Sequence, residues 1–320
     1  MLSYILRRVL LLIPMALVIS FLVYLGLEIT PGDPVSYMIP PDMYGSMDPE
    51  RLQALRESLG LGQPFIVRYG IWLWGVLHGN FGYSMSGGVP ISTIVADRLP
   101  ATLELSGIAL VLSTIIGCLL GTISALRRGS ATDNSLTVVG MLGVSIPEFF
   151  FGLVAILIFA LNLQWLPVGG RMLPGYVTFW DRLPHLVMPA LVLSVTMTAG
   201  VMRYARSSML DSLNKEFIRT ARSKGLPEWR VNLLHGFRVA LTPVIVLIGF
   251  RLPVLIGGSV VIEQVFQWPG IGNEFVAAVR SQDYPLVMMI ALLSVVAVLL
   301  ASLIVDVLTA LIDPRVRLGR

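Results

Sequence analysis

Long apolar runs separated by short charged clusters dominate the chain. Val9–Leu27 carries no charged side chain over 19 residues, and Leu105–Leu126 carries none over 22. At about 1.5 Å of rise per residue, each run crosses roughly 30 Å of hydrocarbon as a helix. The pattern predicts six spanning helices, about 9–28, 102–126, 135–161, 186–206, 241–262 and 286–312. The third, fifth and sixth each contain one ionisable side chain: Glu148, Arg251 and Asp306. The fourth has the shortest uncharged stretch, Leu186–Met202, and needs its flanks to complete the crossing.

Two connections are long. The segment 29–101 is rich in Pro and Gly, and two short helices are expected in it. One starts at Asp48-Pro49-Glu50, an N-cap residue followed by proline at the first helical position, and runs to Gly60. The other, Pro64–Leu77, carries Trp72 and Trp74, residues that favour the headgroup level. The second long connection is 207–240. Inside the spans, Pro147 predicts a kink, and Gly117-x-x-x-Gly121 predicts a close helix–helix approach. Arg7 and Arg8 before an apolar run resemble a signal peptide, but the run is long and leads into Glu28-Ile29-Thr30-Pro31. A retained helix is the expectation.

Composition narrows the class further. With 55% hydrophobic residues, 13% charged residues and mean hydropathy +0.80, the 320-residue chain has too little charge to cover a soluble surface. Fifteen Lys/Arg fall on the side that holds both termini and the 207–240 loop, and seven on the other, with Arg251 inside a span. By the positive-inside rule both termini are cytoplasmic. The net charge of +4 is therefore a topology signal, not a nucleic-acid footprint. The single cysteine, Cys118, cannot form an intrachain disulfide, and His78, His185 and His235 have no metal-ligand spacing.

Catalytic motifs are missing. Lys215 and Lys224 are the two lysines, and neither completes a G-x-x-x-x-G-K-[ST] phosphate loop. H-E-x-x-H, paired cysteines and G-x-S-x-G are also absent. No catalytic residue, metal ligand or cofactor site is expected in this chain, and any use of ATP must come from a partner.

The stretch Glu216–Leu226 reads as a short amphipathic helix closed by Gly225 before a sharp turn. Phe217, Thr220, Ala221 and Lys224 share one face at helical spacing, and Ala221 keeps that face narrow. On pattern alone this is equally a basic helix resting on the inner leaflet. The run from Glu216 through Gly225 to Leu241-Thr242-Pro243, however, resembles the E-x-x-x-A-x-x-x-G signature of ABC-importer permease subunits, with the alanine displaced by one position at Ala221. Further stretches, in order along nearly the whole chain, resemble dipeptide and oligopeptide permeases. These are Tyr4-Ile5-Leu6-Arg7-Arg8, Pro31-Gly32-Asp33-Pro34, Leu59-Gly60-Leu61-Gly62-Gln63-Pro64 and Arg98-Leu99-Pro100-Ala101-Thr102-Leu103-Glu104-Leu105. Val265-Phe266-Gln267-Trp268-Pro269-Gly270-Ile271-Gly272, Asp283-Tyr284-Pro285 and Asp313-Pro314-Arg315 complete the set.

The resemblance implies an all-α membrane domain of the type I ABC importer kind, whose first helix wraps a core of five. It implies four partners or partner classes: a second permease, two cytoplasmic ATPases that hold ATP and Mg2+, and an extracytoplasmic peptide-binding protein. Glu216, Phe217, Thr220, Ala221, Lys224, Gly225 and Leu226 would form the ATPase-coupling segment. The binding protein would touch the 29–101 segment and the loop Trp268, Pro269, Gly270. The chain would then divide into helix 1–28, outer segment 29–101, core 102–312 with coupling loop 207–240, and tail 313–320.

Ionisable groups within spans are costly and mark functional positions. Arg251 and Glu148 are the candidates for the substrate path, with Arg251 facing a peptide carboxylate or Glu148, or pairing purely structurally. Asp306 should pair with a basic group nearer the inner end, and Glu104 should sit in the first turn of a helix. Three competitors stay open: the same machine with nickel chelate, glutathione or sugar as cargo, an ion-driven carrier, and a membrane-embedded enzyme. The carrier predicts inverted repeats and paired midplane acids, and the enzyme predicts a catalytic constellation.

Overall fold

The computed structural model describes residues 2–29, 35, 41–58, 62–172, 178–256 and 260–312. Two of the resembling stretches, Pro31–Pro34 and Asp313–Arg315, and the first half of a third, Leu59–Leu61, lie outside the described residues, as does the tail 313–320. Among the described residues the regular secondary structure is helical, apart from one isolated antiparallel bridge between Tyr83 and Pro90. Helix α1 (Leu2–Ile29) is followed by α2 (Pro41–Gly45), α3 (Pro49–Ser58) and α4 (Phe65–Leu77). The two outer helices thus form close to where Pro49 and Pro64 predict them.

Helix α5 (Ile91–Leu126) starts well before the expected position 102, directly after Pro90, so 101/102 is not a structural boundary. Pro100 is absorbed within the helix. Glu104 consequently lies in the helix body, and its carboxylate is held by Arg171 at 2.6 Å and faces Arg182 at 3.6 Å. The expected first-turn dipole role is corrected to an ion-pair role. Ser130 caps α6 (Ala131–Ser145), accepting a hydrogen bond from the Asp133 amide.

Pro147 then breaks the helix. Ile146 before it is extended, as steric conflict with the proline ring requires. Helix α7 (Glu148–Ala155) departs at 98° to α6 and runs on as a π-helical stretch, Ile156–Asn162. Among the described residues five helices are long and apolar enough to cross a membrane, or six spans if the bent pair is counted as one. The expected kink is a full break.

Helix α8 (Phe179–Leu213) opens with a capping box between Thr178 and Asp181 and is the most enclosed of the spans. It packs along α5 and against α6, α7 and α11. A Cβ at Gly117 would lie 2.6 Å from the Cβ of Val201, and one at Gly121 would lie 2.5 Å from the Met202 carbonyl. The two glycines therefore let the α5 and α8 backbones touch, as their spacing predicted.

After α9 (Glu216–Ser223), α10 (Glu228–Arg230) continues through a π-helical stretch, Val231–Phe237, into α11 (Arg238–Ile256). The helix that carries the fifth span thus begins well before the expected 241, and the candidate span lies within Glu228–Arg251. Short helices α12 (Val260–Val265) and α13 (Ile271–Arg280) lead to the last span, α14 (Tyr284–Ile312).

Helix α1 stands at the periphery. It packs on α14 and α4 and exposes Leu10, Val18 and Leu22 on its other side. Arg8 pairs with Asp306 of α14 at 3.0 Å, the partner type expected for that aspartate. At the opposite end, Arg68 of α4 grips Glu28 with two hydrogen bonds of 2.6 and 3.0 Å. Tyr24 stacks on Trp72 at 5.1 Å between ring centres, while Trp74 faces outward.

Candidate coupling and translocation sites

Helix α9 stands on a small core of its own. Ile218 and Ala221, one turn apart, are buried against Val231 and Leu226. Gly225 closes the helix with φ +75°, a conformation that glycine adopts without a Cβ clash. Arg222 then holds Glu228 through bonds of 2.8 and 3.2 Å, folding the segment back on itself. The outward side presents Glu216, Phe217, Thr220 and Lys224. Glu216 reaches only the exposed Arg219 at 3.0 Å, a contact that water screens.

The expected face of Phe217, Thr220, Ala221 and Lys224 is thereby divided. Ala221 turns inward because its small side chain, with Ile218, must cover Val231 and Leu226. Phe217, Thr220 and Lys224 remain outside. Pattern reading missed Ile218 and Val231, although the apolar pair at 218 and 221 carried the signal.

Within the spans, Arg251 turns toward α8. Its Nη1 donates to the Met197 carbonyl at 3.2 Å, and its other nitrogen lies over Gly200, where a Cβ would collide with it. Glu148 begins α7 immediately after the Pro147 break. The structure places Arg251 against α8. Both residues are only partly covered.

At the far end, Trp268 is fully buried and Gly270 is buried beside it. Trp268 donates its indole N–H to the Ala101 carbonyl at 2.8 Å. The fully buried Glu263 accepts from the Thr102 hydroxyl at 2.7 Å and from the Asn273 amide at 2.8 Å. Thr102 in turn accepts from the Ile271 amide at 2.8 Å, so one hydroxyl bridges α5 to α12 and α13. Glu263 is carried by α12, and its carboxyl meets the start of α13, where free amides and the helix dipole favour an acceptor. A Cβ at Gly270 would strike its carboxyl, which is why the turn requires glycine there.

Trp268 and Gly270, expected where a binding protein would touch, face inward. They lock the chain internally, because an indole and a carboxyl buried this deeply must find their partners inside. Pro269 is partly covered, and Gln267 is the exposed residue of that turn, at φ +51°. Glu263 and Thr102 were missed by pattern reading, although Thr102 belongs to one resembling stretch and Glu263 lies two positions before another.

Among the described residues no group of His, Cys, Asp and Glu could hold a metal ion. His185 is buried, and its Nδ1 lies 3.0 Å from the Gly169 carbonyl.

Residues 117–318 match the family model of the binding-protein-dependent transport system inner membrane component, and residues 1–106 match its N-terminal companion. The chain is 42% identical to the oligopeptide transport system permease protein AppB of Bacillus subtilis (strain 168) over 322 residues, covering 99% of each. It is 34% identical to the dipeptide transport system permease protein DppB of Escherichia coli (strain K12) over 339 residues, again covering 99% of each. In fold, it resembles an inward-facing structure of the MetNI methionine ABC transporter. The TM-score is 0.56 at 15% identity, covering 69% of this chain and 96% of that one.

Proposed function

From the finding that the chain belongs to the binding-protein-dependent transport system inner membrane components, we propose that it forms half of the pore of an ATP-driven importer of short peptides. It is a multi-pass inner-membrane permease subunit and not itself an ATPase. Membership in a binding-protein-dependent system implies ATPase and binding-protein partners. The second half of the pore is a homologous permease. Two ATPases bind the coupling loops from the cytoplasmic side, where both termini lie, and supply ATP and Mg2+. This chain binds no cofactor of its own. An extracytoplasmic protein delivers the peptide.

The observation that carries the coupling role is the build of α9. A separate core of Ile218, Ala221, Leu226 and Val231 fixes a short helix whose Phe217, Thr220 and Lys224 are left outward. An exposed aromatic on a rigid support suits a groove in a partner better than it suits water. The cargo assignment rests on the names of the full-length relatives, both of them peptide permeases. Arg251 supplies a cation within a span, where a peptide carboxylate would meet it.

Mass spectrometry of material co-purifying with the tagged chain from its native membrane tests the reading. Two ATPase chains (or one in two copies), a second permease and a peptide-binding protein should be recovered. Recovery of the chain alone, even after cross-linking at exposed Thr220, overturns the coupling role. A sugar- or metal-chelate-binding protein in place of the peptide-binding one overturns the cargo.

A further inference from the structure

Three helices converge on one carboxylate at the loop end of the α5–α8 pair. Asp133, in the first turn of α6, is 2% exposed. It accepts from Arg206 Nε and Nη2, each at 2.8 Å, from the Gly129 amide at 2.9 Å, and from the Ser124 hydroxyl. Arg206 Nε also lies 3.0 Å from Ser124 Oγ. Ser124 belongs to α5, Asp133 to α6 and Arg206 to α8. Every oxygen lone pair facing this junction has a donor, so the three helices are fixed together and not merely adjacent.

The place of the junction matters more than its strength. Arg206 lies about two turns before the end of α8, and α9 follows after the short link at Asn214 and Lys215. Below the junction, Ser212 donates to the Gly236 carbonyl at 2.9 Å and ties α8 to the returning arm of the loop. Above it, Gly121 and Ala205 bring α5 and α8 into backbone contact. A displacement of α9 therefore enters α8 directly. It reaches α6, and the α6–α7 break beyond, through Arg206 and Asp133.

We propose that Asp133 and Arg206 are positioning residues for transport, making α5, α6 and α8 move as one body when the coupling loop is displaced. This rests on the reading that α9 docks on an ATPase. Coupling between distant sites requires an element that both ends bias, and here that element is the three-helix body.

The test uses the assembled importer. Cys118→Ala removes the one cysteine, after which nitroxides are placed at exposed Val138 of α6 and at exposed Ser223 of α9, which is outside the docking face. The labelled permease is assembled with unlabelled partners, and the distance is read by double electron–electron resonance with and without ATP and vanadate. With the pair intact, the distribution should not change on adding nucleotide. Asp133→Asn should broaden and shift it, and should lower trialanine uptake per ATP hydrolysed by about tenfold. Asp133→Glu should recover part of the loss. If Asp133→Asn does not assemble, Arg206→Gln is read in its place.

A distance that changes in the unsubstituted pair, or a substituted pair with the original distance and uptake per ATP, overturns the proposal. An unlabelled permease that retains no ATPase instead overturns the underlying coupling reading, and the two failures are told apart before any label is introduced.

Discussion

The indole nitrogen of Trp268 lies 2.8 Å from the carbonyl of Ala101, joining positions 167 residues apart. Beside it, Thr102 links Glu263 to the start of α13. Two of the stretches that resemble peptide permeases are thus two sides of one internal lock.

Removing the bridging hydroxyl should loosen that lock. Thr102→Val keeps the shape but leaves Glu263 and the Ile271 amide each short of a partner, a loss of about 1–3 kcal/mol for a buried polar group. Thr102→Ser should cost less, since it retains the hydroxyl. Thermal unfolding in detergent should rank native above Ser above Val. Equal midpoints for native and Val would contradict the bridging role.

Much of this fold was legible in the sequence. Apolar run length placed the spans, Pro49 and Pro64 placed two outer helices, and Gly117 and Gly121 marked the α5–α8 contact. Contacts distant in sequence were not legible. Nothing local to Trp268 says that it is buried against Ala101, and nothing local to Asp133 says that Arg206 of another helix completes it. The direction of Ala221 was also hidden, because an alanine fits either face and only Val231, ten positions on, decides it. Local pattern gives helices, whereas pairing between helices depends on how they are assembled.

Two glycines of α5, one at a helix contact and one in open space, separate packing from propensity. Gly121→Ala would set a methyl 2.5 Å from the Met202 carbonyl, and backbone cannot yield as a side-chain tip can. A loss of about 1–3 kcal/mol is expected from overpacking. Gly107→Ala, on the same helix with no neighbouring atom within 4 Å, should instead gain about 0.5–1 kcal/mol of helix stability. Midpoints measured side by side check the opposite signs.

Arg251 and Gly200 should act as one unit. Arg251→Gln removes the guanidinium, and Gly200→Ala places a methyl where its nitrogen lies. Each should reduce peptide uptake at normal expression, by roughly tenfold if the lost contact is worth about 1.4 kcal/mol. The double substitution should be no worse than Arg251→Gln alone, since residues in contact are not additive. Full uptake by Arg251→Gln removes the residue from the transport path.

The small core under α9 can be tested without touching its outward face. Ala221→Asp buries an unpaired carboxylate among Ile218, Leu226 and Val231, a severe cost unless the loop opens. The spans do not depend on this core, so the midpoint of the whole chain should move little. Co-purification with ATPase, however, should be lost. Retention of both ATPase and uptake would show that the core does not hold the coupling helix.

Photo-cross-linking from position 217 tests the coupling role most directly. A benzoylphenylalanine replacing Phe217 in the assembled importer should form a covalent adduct with the ATPase subunit. The same probe replacing Phe159, a partly exposed aromatic in the π-helical stretch after α7, should not. An adduct with lipid alone at 217, or ATPase adducts of equal yield at both positions, contradicts a coupling role for α9.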